Sequence, residues 1–146
     1  MKTASTISRV LLGLVFTVFG LNGFLNLFST GPVPPLAGEF FGVLVQSHDM
    51  SVVLAIEIIG GVALLLNRMT PLALTILGPV IFNILVFHIT MAPAGLPPAV
   101  FVTALWSVVA YSVRPAFAGL FTGGSLEESK AQRANFQDDR APVRVI

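Results

Sequence analysis

Apolar residues fill four long stretches of the chain, about 7–28, 51–66, 71–90 and 97–113, and polar or helix-breaking residues collect between them. A helix needs roughly 20 mainly apolar residues to cross a bilayer, and each stretch approaches that length. The first ends at Ser29-Thr30-Gly31-Pro32, Asn67-Arg68-Met69-Thr70-Pro71 divides the second from the third, and Met91-Ala92-Pro93-Ala94-Gly95 precedes the fourth. Pro71 suits the first turn of a helix. The second stretch is short and contains Glu57, and a mid-span carboxylate costs several kcal/mol, so it reads as a span inserted with the help of its neighbours. Lys2 and Arg9 precede the apolar run of the first stretch, as they would in a signal peptide, but that run is too long and no convincing small-residue cleavage site follows. The pattern predicts an all-α membrane protein, a bundle of four transmembrane helices in residues 1–121.

Lys2, Arg9, Arg68 and Arg114 all fall on one side of a four-span chain, and the two opposite loops carry neither Lys nor Arg. The positive-inside rule makes that side the cytoplasm, with both termini in and Glu39, His48 and Asp49 in the first outer loop. A multi-pass protein of a bacterial-type inner membrane is the localisation this implies. Within that loop, Gly31-Pro32-Val33-Pro34-Pro35 leads into a run at about 36–46 that is apolar except for Glu39. Such a run is too short to cross, so it predicts an interfacial or re-entrant segment over the bundle mouth. Residues 122–146 read as a polar cytoplasmic tail, in which Ser125-Leu126-Glu127-Glu128 forms a possible capping box for a short solvated helix.

Composition agrees with lipid as the solvent: 55% of residues are hydrophobic and 10% charged. The absence of cysteine excludes disulfides, iron–sulfur clusters and thiolate metal sites. A formal net charge of +1 without a basic stripe gives no footprint for nucleic acid.

Polar groups inside the spans are the informative residues, because each is costly unless paired. Counting ~1.5 Å per residue from the cytoplasmic charges, Asn22, Glu57, Asn83 and Thr103 all lie ~17–20 Å up their helices. Asn26 and His88 form a second tier nearer the outer surface. These six residues predict a polar pocket in the outer half of the bundle, with a neutral, protonated Glu57 hydrogen-bonded to Asn22 or Asn83 as the cheapest state. The competing reading is interhelical glue, worth roughly 0.6–2 kcal/mol per bond. Pro79 in the third span frees a backbone carbonyl around Thr75 and could widen the pocket. His88 as a haem or metal ligand lacks a second axial partner, since the other histidine, His48, lies in a loop; a bond to the neighbouring loop or to a ligand carbonyl suits His88 better. No metal site is expected. Gly13, Thr17 and Gly20 on the first helix, and Gly60-Gly61 on the second, mark packing seams.

The run Arg9 to Phe16 with Gly20-Leu21-Asn22, then Glu57-Ile58-Ile59-Gly60-Gly61, Asn67-Arg68, Pro71 to Leu74, Pro79, Asn83 and Phe87-His88, resembles the DoxX family of small four-helix membrane proteins over residues 7–121. Gly23 stands where that family often carries a lysine or another larger polar residue. The resemblance implies the membrane subunit of a quinone-linked oxidoreductase. On this expectation the chain is an accessory or quinone- and lipophile-binding subunit rather than a stand-alone enzyme. It holds no built-in cofactor beyond a bound quinone, and a soluble or membrane oxidoreductase partner, or a second copy of itself, completes the unit. A small transporter or lipophile-handling protein using Glu57, and a purely structural assembly factor, are the alternatives.

Overall fold

Prolines and left-handed residues set the helix boundaries. The structure, a computed structural model, describes residues 2–29 and 31–121. The first helix, α1 (Lys2–Leu25), stops three residues short of the apolar run that predicted it. Asn26 adopts φ 50° there, and its N–H bonds to the Asn22 carbonyl at 2.8 Å. A left-handed Asn just past the last helical residue is a C-terminal stop, and hydropathy alone does not register it. Pro35 then starts α2 (Pro35–Gln46), and α3 (Asp49–Leu65) follows after His48, whose φ of 66° turns the chain. The two axes meet at 88°. A tight turn with Asn67 and Met69 both left-handed leads into α4 (Thr70–Thr90), which carries Pro71 in its first turn. A single 3-10 turn, Pro93–Gly95, joins α4 to α5 (Leu96–Ser112).

All described secondary structure is helical. Three helical segments, Thr3–Leu25, Thr70–Thr90 and Pro93–Ser112, are long and apolar enough to cross a membrane, and the bent pair α2 and α3 makes a fourth if counted together. α3 alone, at 17 residues, reaches only ~25 Å. Helix α1 packs on α3 and α5, and α4 packs on both of those, so α1, α3, α4 and α5 close a ring. The interior holds Leu12, Phe16, Leu64, Leu74, Leu77 and Val109. The outward faces are apolar as well: Leu25, Ile59, Phe82 and Phe101 are all more than half exposed. Large apolar surface on every side of a thin core is what a hydrocarbon solvent permits and water does not.

Polar side chains tie the helix ends together. Arg9 on α1 donates through its guanidinium to the carbonyls of Leu64 and Leu65. It thereby caps carbonyls in the last turn of α3, of which Leu64 also accepts from the Asn67 N–H, and places positive charge at the negative end of the α3 dipole. Ser5 donates to Ser112 at 2.6 Å, so the start of α1 also meets the end of α5. Both contacts fix α1 antiparallel to its two neighbours.

The segment α2 packs on α3, and its Phe40 and Phe41 reach Phe87 of α4, with ring centroids 6.0 and 4.9 Å away. It corresponds to the short apolar run expected at 36–46. Residues from Arg114 form a second unit, in which α6 (Arg114–Phe121) is described by itself. The capping box at Ser125–Glu128 lies outside the described residues.

Candidate functional site

Between α1 and α3, small residues bring two backbones together. A Cβ added at Gly61 would lie 2.7 Å from the Thr17 backbone nitrogen and 2.9 Å from the Gly13 carbonyl oxygen. A Cβ at Gly20 would lie 3.1 Å from the Leu54 carbonyl oxygen and 3.2 Å from the Glu57 Cβ. Gly60, one residue from Gly61, turns the other way, toward Leu77 of α4. The glycine pair thus lets α3 approach α1 on one side and α4 on the other, which few other residue pairs allow.

Glu57 lies in this seam with only 9% of its surface exposed. Among the described residues no donor lies within hydrogen-bond reach of its carboxyl, and no basic side chain pairs with it. Gly20 opposite it presents no side chain, and the N–H groups of mid-helix residues on α1 are already engaged in the helix ladder. One turn along α3, the Thr17 hydroxyl rests against Gly61, and its oxygen is the buried side-chain polar atom among the described residues that has no partner. The unpartnered Thr17 hydroxyl runs against the rule that buried polar atoms are paired, and Glu57, one turn away, also has no hydrogen-bond partner among the described residues. Thr17 entered the sequence reading only as a small seam residue.

The other expected pocket residues bond locally. Asn22, buried on α1, clasps the turn after its own helix: its Nδ2 donates to the Phe28 carbonyl at 3.1 Å, and its Oδ1 accepts from the Phe28 N–H at 2.8 Å. Asn26 is the exposed left-handed stop residue. Asn83 faces outward from α4 and donates to the Pro79 carbonyl at 3.1 Å. Thr103 donates back to Ala99 of its own helix at 2.8 Å. His88 closes the end of α4 by donating from Nδ1 to the Ala92 carbonyl at 3.1 Å, which fixes its tautomer. Gly95 packs against the imidazole so closely that a Cβ there would overlap the ring. This bond ties the end of α4 to the adjoining loop.

No hydrogen bond joins any two of Asn22, Asn26, Glu57, Asn83, His88 and Thr103. Similar height does not by itself make such residues meet, because height ignores the direction in which each side chain leaves its helix. The structure supplies a cross-helix bond that the sequence reading did not contain: Trp106 of α5 donates from its indole to the Leu74 carbonyl of α4 at 3.0 Å. That bond lies just before the place where Pro79 leaves the Thr75 carbonyl without its helix donor.

No group of three or more His, Cys, Asp or Glu able to hold a metal occurs among the described residues. No protein-family model, curated protein or solved structure matches the chain.

Proposed function

We propose that the protein is a four-span membrane protein with both termini in the cytoplasm of a bacterial-type inner membrane. It acts as an accessory subunit that binds a quinone or a similar lipophile beside Glu57. The observation that carries this reading is the unpaired Glu57 carboxyl in the α1–α3 seam, with the unpaired Thr17 hydroxyl one turn away. A carboxyl so placed needs a proton, a cation or a hydrogen-bond partner from outside the chain. As the neutral acid it donates to a quinone carbonyl, and the Thr17 hydroxyl supplies a second polar contact. The apolar helix faces around it suit an isoprenoid or acyl tail.

The topology rests on charge and connectivity. Arg9 meets the end of α3, and Arg68 follows that end directly, so both stand at one end of the bundle. Helix α2, at a right angle to α3, then runs in the plane of the opposite interface. The quinone-linked oxidoreductase setting rests on the resemblance of residues 7–121 to the DoxX family, whose glutamate and paired glycines here become the seam itself.

The test is to purify the protein in mild detergent, extract its lipids and measure bound quinone by mass spectrometry. The expected result is a quinone near one per chain. Glu57→Leu should lower retention about tenfold, the equivalent of ~1.4 kcal/mol, while Glu57→Gln, which can still donate, keeps most of it. A protein that carries no quinone and takes up none when it is added, with Glu57→Leu behaving like the parent, overturns the proposal.

A further inference from the structure

Helix α4 exposes a continuous stripe whose members recur at alternating intervals of three and four residues: Leu72, Thr75, Pro79, Phe82, Val86 and Ile89. That spacing keeps one face aligned along a helix and is the pattern of a left-handed helix–helix seam. Phe82 and Ile89 are 65% and 57% exposed, so none of α1, α2, α3 and α5 covers this face. Within the stripe the polar groups differ in kind. The Thr75 hydroxyl donates to the Pro71 carbonyl at 2.9 Å, so its donor is already used on its own helix. Asn83, beside Phe82, makes a single bond from Nδ2 to Pro79. Its Oδ1 and its second N–H have no partner among the described residues.

Asn83 stands seven residues, ~10 Å, from the end of α4 at Thr90, well inside the hydrocarbon when this helix spans. An amide oxygen and an N–H facing lipid there are costly. A carboxamide is its own complement, one donor and one acceptor. Two copies of the chain inserted in the same orientation, related by a two-fold axis along the membrane normal, bring each residue on the axis against itself at equal depth. We propose that the outward stripe of α4 is the interface of a parallel homodimer, in which each Asn83 donates its free N–H to the Oδ1 of the other. Phe82, Val86 and Ile89 pack around that pair, and Thr75 and Pro79, which carry no bulky side chains, admit close approach beside it. The interface lies on a different face from the Glu57 seam and does not depend on what that seam binds.

The chain has no cysteine, so single cysteines report on this face directly. Phe82→Cys and Val86→Cys, oxidised in native membranes, should give disulfide-linked dimers, while Ile59→Cys on α3 and Phe101→Cys on α5 should not. In liposomes, energy transfer between labelled copies measured against dilution should show dimerisation weakened three- to tenfold by Asn83→Val and retained in Asn83→Gln. Unchanged fluorescence of Trp106, the single tryptophan, verifies the bundle in each variant. The proposal is overturned by cross-links at Ile59 or Phe101 in place of the α4 positions, by attachment of the α4 cysteines to a different protein, or by a dimer equally strong in Asn83→Val. A chain that stays monomeric at all dilutions overturns it too.

Discussion

Replacing Gly61 with alanine tests the central seam most directly. The added methyl carbon would lie 2.7 Å from the Thr17 backbone nitrogen and 2.9 Å from the Gly13 carbonyl oxygen, against an ordinary contact of 3.4 Å or more. Both atoms belong to the α1 backbone, so no side-chain rotation relieves the clash, and α1 must move off α3 by ~0.7 Å. A gap of that size forfeits roughly a quarter to a half of each dispersion contact along the seam. Overpacking of this kind costs about 1–3 kcal/mol, and the better helix propensity of alanine returns up to ~1 kcal/mol. The net loss expected is ~1–2 kcal/mol. Gly42→Ala on α2, where an added Cβ meets nothing within 4 Å, is the control and should be neutral or slightly stabilising. Unfolding by SDS titration in mixed micelles, followed by Trp106 fluorescence, reads both. If Gly61→Ala unfolds at the same SDS fraction as the parent, the backbones of α1 and α3 are not in the contact described.

Other outcomes follow from the local bonds. Asn22→Leu should release the turn at Phe28, since it removes both bonds to that residue's backbone, each net bond being worth ~1 kcal/mol. Amide exchange at Phe28 should then quicken by one to two orders of magnitude, with Asn22→Asp intermediate because it keeps the acceptor and loses the donor; equal exchange in all three proteins would refute the clasp. Gly95→Ala should destabilise by displacing the His88 ring from Ala92, and the same substitution in a His88→Ala background should cost at least 1 kcal/mol less. A double-mutant cycle showing no coupling between the two positions would remove the His88–Gly95 contact as the cause.

The prolines made most of the fold legible. Pro35 and Pro71 stand in the first turns of α2 and α4, where a missing N–H does no harm, and the Lys and Arg positions mark one end of the bundle. The end of α1 was harder to read, because Leu27 and Phe28 continue the apolar run while the backbone at Asn26 has already left the helix. The site was legible in its parts only. Heights along helices are read from residue counts, but whether Asn83 faces inward or outward depends on the rotation of α4, which its packing against α3 and α5 sets. The Thr17 hydroxyl against Gly61 joins residues far apart in sequence, and the packing of two backbones, not a motif, creates that contact.

Interhelical glue is the rival account of polar residues in such a bundle, and the structure gives that role to particular side chains. Arg9 holds the end of α3, Trp106 holds α4, and Ser5 holds the end of α5. Glu57 holds nothing. A carboxyl kept for packing would be replaced by any apolar residue of similar size with a gain in stability, because nothing in the chain offsets its desolvation. Glycine at position 20 also removes any side chain on α1 that might have supplied a donor. The same small residues that bring α1 and α3 together therefore offer the acid no donor from α1, which is what the proposed binding role requires. Comparing Glu57→Leu with Glu57→Gln separates the two accounts. A more stable protein that has lost its ligand fits a binding carboxyl, whereas a less stable one with its ligand retained would return Glu57 to a structural role.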